Sequence, residues 1–341
     1  MKALFIGGTG TISSAITRQL VESGHELYLL NRGNQLGRVP EGAHVLQGDV
    51  NDEAQVAKLI GNHQFDVVAD FIAFKPEQVE RDYRLFQGRT KQFIFISSAS
   101  AYQTPLSDYR ITEGTPLSNP LWAYSREKIA CEEYLMRQYR ENGFPITIVR
   151  PSHTYDERKI PLGVHGARGS WQVAKRMLEG KPVIIHGDGT SLWTMTHNSD
   201  FAKGFIGLMG NIHAIGEAVH ITSDETLTWN QIYATIADEL GVPLNAVHVA
   251  SSFLAACSSS ERDYRGGLLG DKAVSVVFDN SKLKRLVPDF VATTRFDQGI
   301  RQTIRHILAH PELQEEDPAF DAWCDKVIDA LDAAIVAIRD Q

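Results

Sequence analysis

A tyrosine and a lysine four residues apart, Tyr124 and Lys128, have the types and spacing needed for proton transfer. On a helix, residues at i and i+4 lie on the same face, so the two side chains would be neighbours. A tyrosine is too weak an acid to work unassisted near neutral pH, but a nearby ammonium favours its phenolate and lowers its pKa. Such a tyrosine can take a proton from a substrate alcohol. The pair therefore predicts acid–base chemistry at an oxygen atom.

Three serines, Ser97, Ser98 and Ser100, follow the apolar run Gln92–Ile96 upstream of the tyrosine. The run predicts a buried strand, and ligands of doubly wound parallel sheets bind outside the carboxyl ends of the strands. A serine hydroxyl at that edge would hold and polarise the alcohol oxygen. Tyr-x-x-x-Lys occurs by chance in many helices, so its significance depends on these serines and on the glycine-rich loop described below.

The first half of the chain alternates apolar runs of strand length with amphipathic helical stretches. Such alternation predicts a parallel sheet with helices on both faces. We therefore expect an α/β, Rossmann-type doubly wound parallel sheet followed by a smaller, discontinuous C-terminal substrate lobe. The predicted strands are Ala3–Ile6, Glu26–Leu30, His44–Leu46, Asp66–Asp70, Gln92–Ile96 and Ile146–Val149, and the helices lie near Ser13–Ser23, Asp52–Gly61, Pro76–Gly88 and Trp122–Asn142.

The rhythm changes after Arg150-Pro151. We expect residues 1–150 to form a nucleotide-binding domain, to which pieces near 190–222 return, including a strand at Ala218–Ile221. Residues 151–341 would form mainly the substrate-binding lobe and end in an amphipathic helix. The segment Ser251–Gly270 is rich in Ser, Gly and Arg and predicts a mobile loop.

The first strand runs directly into a glycine-rich loop that a helix follows. Glycines let the backbone turn tightly and approach a pyrophosphate, while the helix N-terminus supplies N–H groups and a positive dipole. The third glycine of the usual pattern is replaced by Ser13, the next smallest choice. The loop predicts a dinucleotide site formed by Gly7, Gly8, Thr9, Gly10, Thr11 and Ile12.

The end of the second strand, Asn31-Arg32, bears on the choice of cofactor. No acid stands where one would hold the ribose hydroxyls, and a guanidinium suits a 2′-phosphate, so the site favours NADP over NAD. An arginine in a solvated loop is the alternative interpretation of Arg32. Asp49 and Val50, after the third strand, are placed to contact the adenine, although Asp49 could instead cap the helix that begins near Asp52.

With these motifs the chain resembles the short-chain dehydrogenase/reductases, specifically the extended NAD-dependent epimerase/dehydratase type. The resemblance runs from Gly7 to the Asp279-Asn280 region and includes Arg150-Pro151 and His186-Gly187-Asp188-Gly189. It implies Ser98 as the catalytic hydroxyl, Tyr124 as the acid/base, and Lys128 as its electrostatic partner and ribose contact. It further implies cofactor contacts at Lys75, Pro151 and Ser152.

Two departures from the family pattern limit the reaction and the substrate. Ala99, Ser100 and Ala101 follow Ser98 where dehydratases and decarboxylases of the family carry an acid, which argues against dehydration. Trp193 stands where family members usually carry an arginine for a nucleotide diphosphate. The charge could then come from Arg262, Arg265 or Lys272, and Trp193 could stack on a sugar. We name Ser100, His153, Trp193 and Arg265 as candidate substrate contacts.

Composition excludes several other classes of protein. The formal net charge is −8 for 341 residues, which gives no basic surface for nucleic acid or membrane. Three separate cysteines and scattered histidines predict no metal site. We expect a cytoplasmic NAD(P)-dependent oxidoreductase or epimerase, a possible homodimer, that acts on a secondary alcohol of a sugar or sugar nucleotide. The alternative functions are RNA association or cofactor sensing on the same fold with little catalysis.

Overall fold

The computed structural model describes residues 1–258 and 263–340. The strands of this part of the chain are β1 (Lys2–Ile6), β2 (Glu26–Asn31), β3 (His44–Gln47), β4 (Val67–Asp70), β5 (Phe93–Ile96), β6 (Arg110–Ile111), β7 (Ile146–Pro151), β8 (His153–Tyr155), β9 (Val183–His186), β10 (Leu192–Trp193), β11 (Met195–His197), β12 (Ala218–Ile221), β13 (Leu227–Thr228), β14 (Ala246–Val249) and β15 (Val277–Phe278).

Helices connect most of these strands. They are α1 (Ser13–Glu22), α2 (Glu53–Ile60), α3 (Pro76–Phe86), α4 (Ala123–Asn142), α5 (Trp171–Leu178), α6 (Asn198–Leu208), α7 (Trp229–Leu240), α8 (Ser251–Ala256), α9 (Ser281–Leu286), α10 (Phe296–Ala309) and α11 (Pro318–Arg339).

Seven parallel strands form the central sheet, in the order β12-β7-β5-β4-β1-β2-β3. Each strand from β1 to β5 and β7 coincides with a predicted one to within one or two residues. The strand expected at Ala218–Ile221 is β12, which pairs with β7 and completes the edge of the sheet. The carboxyl ends of the parallel strands therefore meet at one edge, as the predicted doubly wound fold requires.

Alternation along the strands gives the sheet an apolar core on both faces. On β1, Phe5 packs with residues of α1 and α6, such as Ile16 and Phe205. Its neighbour Leu4 points to the opposite face and packs with residues of α2, α3 and α4. Successive side chains of a strand point to opposite faces, so a strand covered on both sides is apolar throughout. This explains the unbroken apolar runs in the sequence.

The chain divides into two compact units. The first unit comprises residues 1–154, 194–224 and 277–294, and it contains the whole seven-stranded sheet. Residues 277–294 had no sequence signal for the first unit, but within it β15 pairs with β6. The second unit comprises residues 155–193, 225–276 and 295–341, and it contains the β9–β14 and β10–β13 pairs.

The prediction of a mobile loop at Ser251–Gly270 was wrong over the described part of that segment. Helix α8 begins at Ser251, and a π-helix spans Arg265–Lys272. Leu254 and Leu268 are both buried, and their packing stabilises these helices. The polar composition of the segment gave no indication of this packing. Arg262 lies outside the described residues. Within those residues, no helix combines the length and the apolar character needed to cross a membrane.

Candidate active site

The glycine-rich loop has the backbone conformation that its sequence predicts. Gly7 and Gly8 have φ angles of +100° and +96°, a region that other residues rarely adopt. A Cβ atom on Gly8 would also lie 2.7 Å from Cδ2 of Leu29. Ser13 fits in place of the third glycine because its buried hydroxyl accepts a 3.0 Å hydrogen bond from the Gly10 amide. The loop therefore needs its first two glycines for conformation and uses Ser13 as a polar brace.

A cavity of about 740 Å³ lies against this loop, at the carboxyl ends of the strands. Of the residues that we predicted to bind the cofactor, Gly7, Gly8, Thr9, Gly10, Thr11, Ile12, Asn31, Arg32, Asp49 and Val50 line it. Lys75, Tyr124, Lys128, Pro151 and Ser152 are not among its lining residues. The remaining lining residues were not named by the sequence analysis as contacts; they are Ser13, Leu30, Asn34, Gln35, Gly48, Asn51, Phe71, Ile72, Phe74 and Gln78.

The part of the cavity after β2 and β3 is lined largely by polar side chains. Arg32 is exposed, and the Asn31 side chain accepts a 2.9 Å bond from the Gly33 amide. Asp49 does not cap α2, because the structure gives that role to Asp52. Instead, Asp49 accepts bonds of 2.9 and 3.0 Å from the backbone amide and side-chain nitrogen of Asn51. The alternative interpretation of Asp49 as a helix cap was therefore wrong.

Lys128 is buried beneath the start of α4. Its Nζ donates 2.7 Å hydrogen bonds to the carbonyl oxygens of Ala73, after β4, and Ile96, at the end of β5. Burial lowers the pKa of Lys128 to about 8, against an opposing effect from nearby negative groups that include Asp70. One buried ammonium thus joins the ends of two central strands to α4.

Tyr124 lies one helical turn before that lysine, as the i, i+4 spacing predicts. The Nζ atom of Lys128 is 5.9 Å from the centre of the Tyr124 ring. The ring is half-buried between aromatic neighbours, with Trp122 at 4.8 Å and Phe74 at 6.2 Å between ring centres. Phe74 also lines the cavity, so the tyrosine stands beside the predicted cofactor site.

The three serines after β5 have different surroundings. Ser97 is buried, and its hydroxyl donates to the carboxylate of Glu132. Ser100 is also buried; its hydroxyl receives a 2.8 Å bond from Ser125 and lies 2.9 Å from that of Ser98. Ser98 alone among the three is half-exposed. Accessibility therefore favours Ser98 as the serine that meets a substrate, while Ser100 contacts it from behind.

The remaining candidates of the first unit are Pro151, Ser152, His153 and Lys75. Pro151 ends β7, and the Ser152 hydroxyl donates a 3.2 Å bond to the carbonyl of Thr194. His153 begins β8 and is half-buried. Lys75 is exposed just before α3 and is not among the residues that line the cavity.

Trp193 and Arg265 belong to the second unit. Trp193 is only 4% exposed, and its ring stacks on Trp229 at 5.7 Å. The Lys272 ammonium lies 5.9 Å from the same ring. The predicted stacking of a sugar on Trp193 needs an open ring face, which this buried side chain lacks, so that interpretation was wrong. Arg265 is exposed at the start of the π-helix.

The comparisons with known proteins agree with this geometry. The sequence profile described as the NAD dependent epimerase/dehydratase family matches residues 3–222. The chain belongs to this family. It is thus an NAD-dependent enzyme of the short-chain dehydrogenase/reductase type.

Individual relatives within and around the family differ in what they act on. The 2'-dehydrokanamycin reductase of Streptomyces kanamyceticus is 24% identical over 290 residues, which cover 85% of this chain and 80% of that protein. The UDP-glucose 4-epimerase of Lactobacillus helveticus is 30% identical over 170 residues, covering 44% of this chain and 51% of the relative. The structure of Thermus thermophilus UDP-glucose 4-epimerase in complex with NAD superposes with a TM-score of 0.69 at 21% identity, over 91% of this chain and 100% of that one.

The residues present fit the cofactor that the family binds. The positive φ angles of Gly7 and Gly8 bring bare backbone to the cavity wall, where a pyrophosphate needs close approach. The cavity of about 740 Å³ is also within the usual range for small-molecule sites, about 300–1,000 Å³.

Proposed function

We propose that this protein is an NAD(P)-dependent oxidoreductase or epimerase that acts on a secondary alcohol, or the matching ketone, of a sugar or sugar nucleotide. The observation that carries the proposal is the position of Lys128. Its ammonium donates to the carbonyl oxygens of Ala73, in the turn after β4, and Ile96, at the end of β5, and lies beneath the Tyr124 ring. An ammonium is costly to desolvate, and at this position its positive charge can stabilise the phenolate of Tyr124.

Each of the three polar side chains has a distinct role in the proposed reaction. Tyr124 exchanges a proton with the substrate oxygen, and Lys128 favours its phenolate form through the positive charge. Ser98 donates its hydroxyl to the same oxygen and orients it. The nicotinamide, when bound, supplies or accepts the hydride at the carbon atom.

For the cofactor, we propose a preference for NADP. Arg32 is exposed, lines the cavity and follows Asn31, so no carboxylate stands at the end of β2 to repel a phosphate. A guanidinium binds phosphate with paired, charge-assisted hydrogen bonds. The loop residues Gly7 to Ile12 would hold the pyrophosphate, and Asp49 would accept a hydrogen bond from the adenine amine.

The substrate class follows from the family and from the chemistry of the site. The relatives named above are, by their names, a reductase of 2'-dehydrokanamycin and a 4-epimerase of UDP-glucose. Both of these substrates carry a secondary alcohol or ketone on a sugar ring, which is the group that Ser98 and Tyr124 would hold. A sugar-ring carbon bearing oxygen is therefore the reacting centre that we propose.

The test is a panel of keto-sugars, sugar nucleotides and aminoglycosides with NADPH and NADH, followed at the absorbance band of the reduced nicotinamide. We expect turnover with at least one sugar-ring substrate, and turnover at least about a hundred-fold slower with Tyr124→Phe. Epimerisation would leave the absorbance unchanged, so products are also separated by chromatography. Binding of cofactor without conversion of any substrate would favour the cofactor-sensing alternative, and failure to bind either cofactor would refute the proposal.

A further inference from the structure

A buried arginine, Arg81, links two parts of the cofactor site that are far apart in the sequence. It lies on α3 with 4% of its surface exposed. Its guanidinium donates 2.9 and 2.8 Å hydrogen bonds to one carboxylate oxygen of Asp82, a 3.3 Å bond to Asp70 and a 2.9 Å bond to the side-chain oxygen of Asn51. These acceptors belong to α3, to the end of β4 and to the loop after β3.

One branch from Arg81 leads to the catalytic lysine. Asp70 is fully buried, and its other oxygen accepts hydrogen bonds of 2.5 and 2.8 Å from the amides of Ile72 and Ala73. These two bonds fix the turn after β4. The Ala73 carbonyl in that turn is one of the two acceptors of the Lys128 ammonium. The side chain of Asp70 therefore determines where the lysine is anchored.

The other branch leads to the adenine end of the cavity. Asn51 accepts from Arg81 and donates, through its backbone amide and its side chain, to Asp49. Asn51 and Asp49 both line the cavity, and Asp49 is the residue proposed to meet the adenine amine. The Arg81 guanidinium thus hydrogen-bonds to both the loop after β3 and the strand end before the turn after β4, and so fixes the position of one segment relative to the other.

The charge arrangement also argues that Arg81 is kept for position. Burial, together with the negative charge of Asp70, raises the pKa of Asp82 well above the usual range of an aspartate. A cluster of two buried carboxyls and one guanidinium is costly to desolvate, and apolar side chains often replace such clusters without loss of stability. Here the polar groups hydrogen-bond to the loop after β3 and to the turn after β4. Apolar side chains could fill the same space, but they could not hold these two segments by hydrogen bonds.

We propose that Arg81 is a positioning residue that fixes both the adenine-binding loop and the Ala73 anchor of Lys128. Arg81 is not among the residues that line the cavity, so it would act through Asn51 and Asp70. A lysine at this position would keep the positive charge but lose the planar fork that holds several acceptors at once. Arg81→Lys therefore separates position from charge.

The experiment compares Arg81→Lys and Asn51→Ala with a control, Arg84→Lys, on the same helix. Arg84 is 54% exposed and forms an ion pair with Glu53 at the surface. NADPH and NADH affinity is measured by fluorescence titration after circular dichroism has established folding. We expect at least a five-fold rise in Kd for Arg81→Lys and for Asn51→Ala, and less than a two-fold change for Arg84→Lys. Because both variants break the Arg81–Asn51 contact, the double variant should bind the cofactors no more weakly than the weaker-binding single variant.

A second readout follows Lys128 without cofactor. In protein labelled with carbon-13 at the lysine ε position, the Lys128 signal is assigned from Lys128→Arg and titrated by NMR. The charged or titratable groups that face it are Asp70 from β4 and Tyr124, Cys131 and Glu132 on α4 itself. None of them changes in Arg81→Lys, so we expect the titration to move upward, toward that of an ordinary lysine, as the anchor turn loosens and admits water.

The outcomes separate this proposal from the proposed function on which its cofactor arm rests. Unchanged Kd values and an unchanged Lys128 titration in folded Arg81→Lys would overturn it. Were Arg81→Lys unable to fold, an unchanged Kd in Asn51→Ala would do so. If the wild-type protein binds neither cofactor, the proposed function fails, while the Lys128 titration still decides whether Arg81 positions the lysine.

Discussion

The ammonium of Lys128 and the carbonyl of Ala73 are joined by a 2.7 Å hydrogen bond across 55 positions of the sequence. The bond ties the helix that carries the predicted acid/base to the strand end beside the cofactor cavity. It also makes the lysine part of the sheet edge, because the same nitrogen reaches Ile96 on the neighbouring strand. Substitutions at this site should therefore fall into two groups: those that lower the catalytic rate and those that change the stability of the fold.

Tyr124→Phe should reduce kcat by at least about a hundred-fold, since general acid–base catalysis typically contributes 10²–10⁴-fold. The ring and its contacts with Trp122 and Phe74 remain, so cofactor affinity should stay within about two-fold of wild type. Steady-state kinetics and fluorescence titration measure the two quantities. A variant that retains more than about a hundredth of the wild-type rate would show that another group moves the proton.

Ser98→Ala should lower activity, whereas Ser97→Ala should lower stability. Ser98 is half-exposed at the site, so its loss should lower kcat by at least about ten-fold with little change in melting temperature. Ser97 donates to the buried carboxylate of Glu132, which also binds Arg150. Its removal should cost about 1–3 kcal/mol of unfolding free energy. If Ser97→Ala, fully folded, lost more activity than Ser98→Ala, the assignment of the catalytic hydroxyl would be wrong.

The depressed pKa of Lys128 makes stability depend on pH in a predictable direction. The folded protein holds the proton less tightly than the unfolded chain, because burial lowers this pKa to about 8. The charged form is therefore penalised below pH 8, and the penalty disappears as pH rises toward the ordinary value of about 10.4. Between these values the wild type should gain up to about 3 kcal/mol of unfolding free energy relative to Lys128→Met. Urea denaturation of both proteins at pH 7.5 and pH 10 measures the difference, and parallel pH profiles would contradict the burial of a charged lysine.

Arg32→Asp should shift cofactor preference from NADP toward NAD. The substitution removes the guanidinium proposed to bind the 2′-phosphate and places a carboxylate where one can hold ribose hydroxyls. The ratio of kcat/KM for the two cofactors should change by at least about ten-fold in favour of NAD. Arg38→Asp provides a control for general charge effects, since Arg38 is an exposed arginine in the following turn and does not line the cavity. An unchanged ratio in Arg32→Asp would leave Arg32 as a solvated loop residue.

Local patterns in the sequence were sufficient for the central sheet and for the glycine-rich loop. Apolar runs and glycine spacing act within a few residues, so β1 and the turn at Gly7 follow from the sequence alone. The i, i+4 spacing likewise brings Lys128 beneath Tyr124.

Contacts between residues that are far apart in the sequence could not be predicted from local patterns. Nothing near Asp70 in sequence reveals that its carboxylate supports the turn that anchors Lys128. Burial of Trp193 against Trp229 is also a long-range fact, and its aromatic character alone suggested an exposed platform. For Ser251–Gly270, polar composition outweighed the scattered leucines that fix the segment.

The first unit is assembled from three separate stretches of chain, and this has a consequence for its synthesis and for any attempt to isolate it. Strand β12, at the sheet edge beside β7, is translated only after an excursion of chain into the second unit. Until then one edge of β7, all six of whose residues are buried in the finished protein, has no strand to pair with. Such edges invite pairing between chains, so a fragment ending near residue 154 should aggregate on expression. A soluble cofactor-binding fragment would need residues 194–224 and 277–294 joined to it by short linkers.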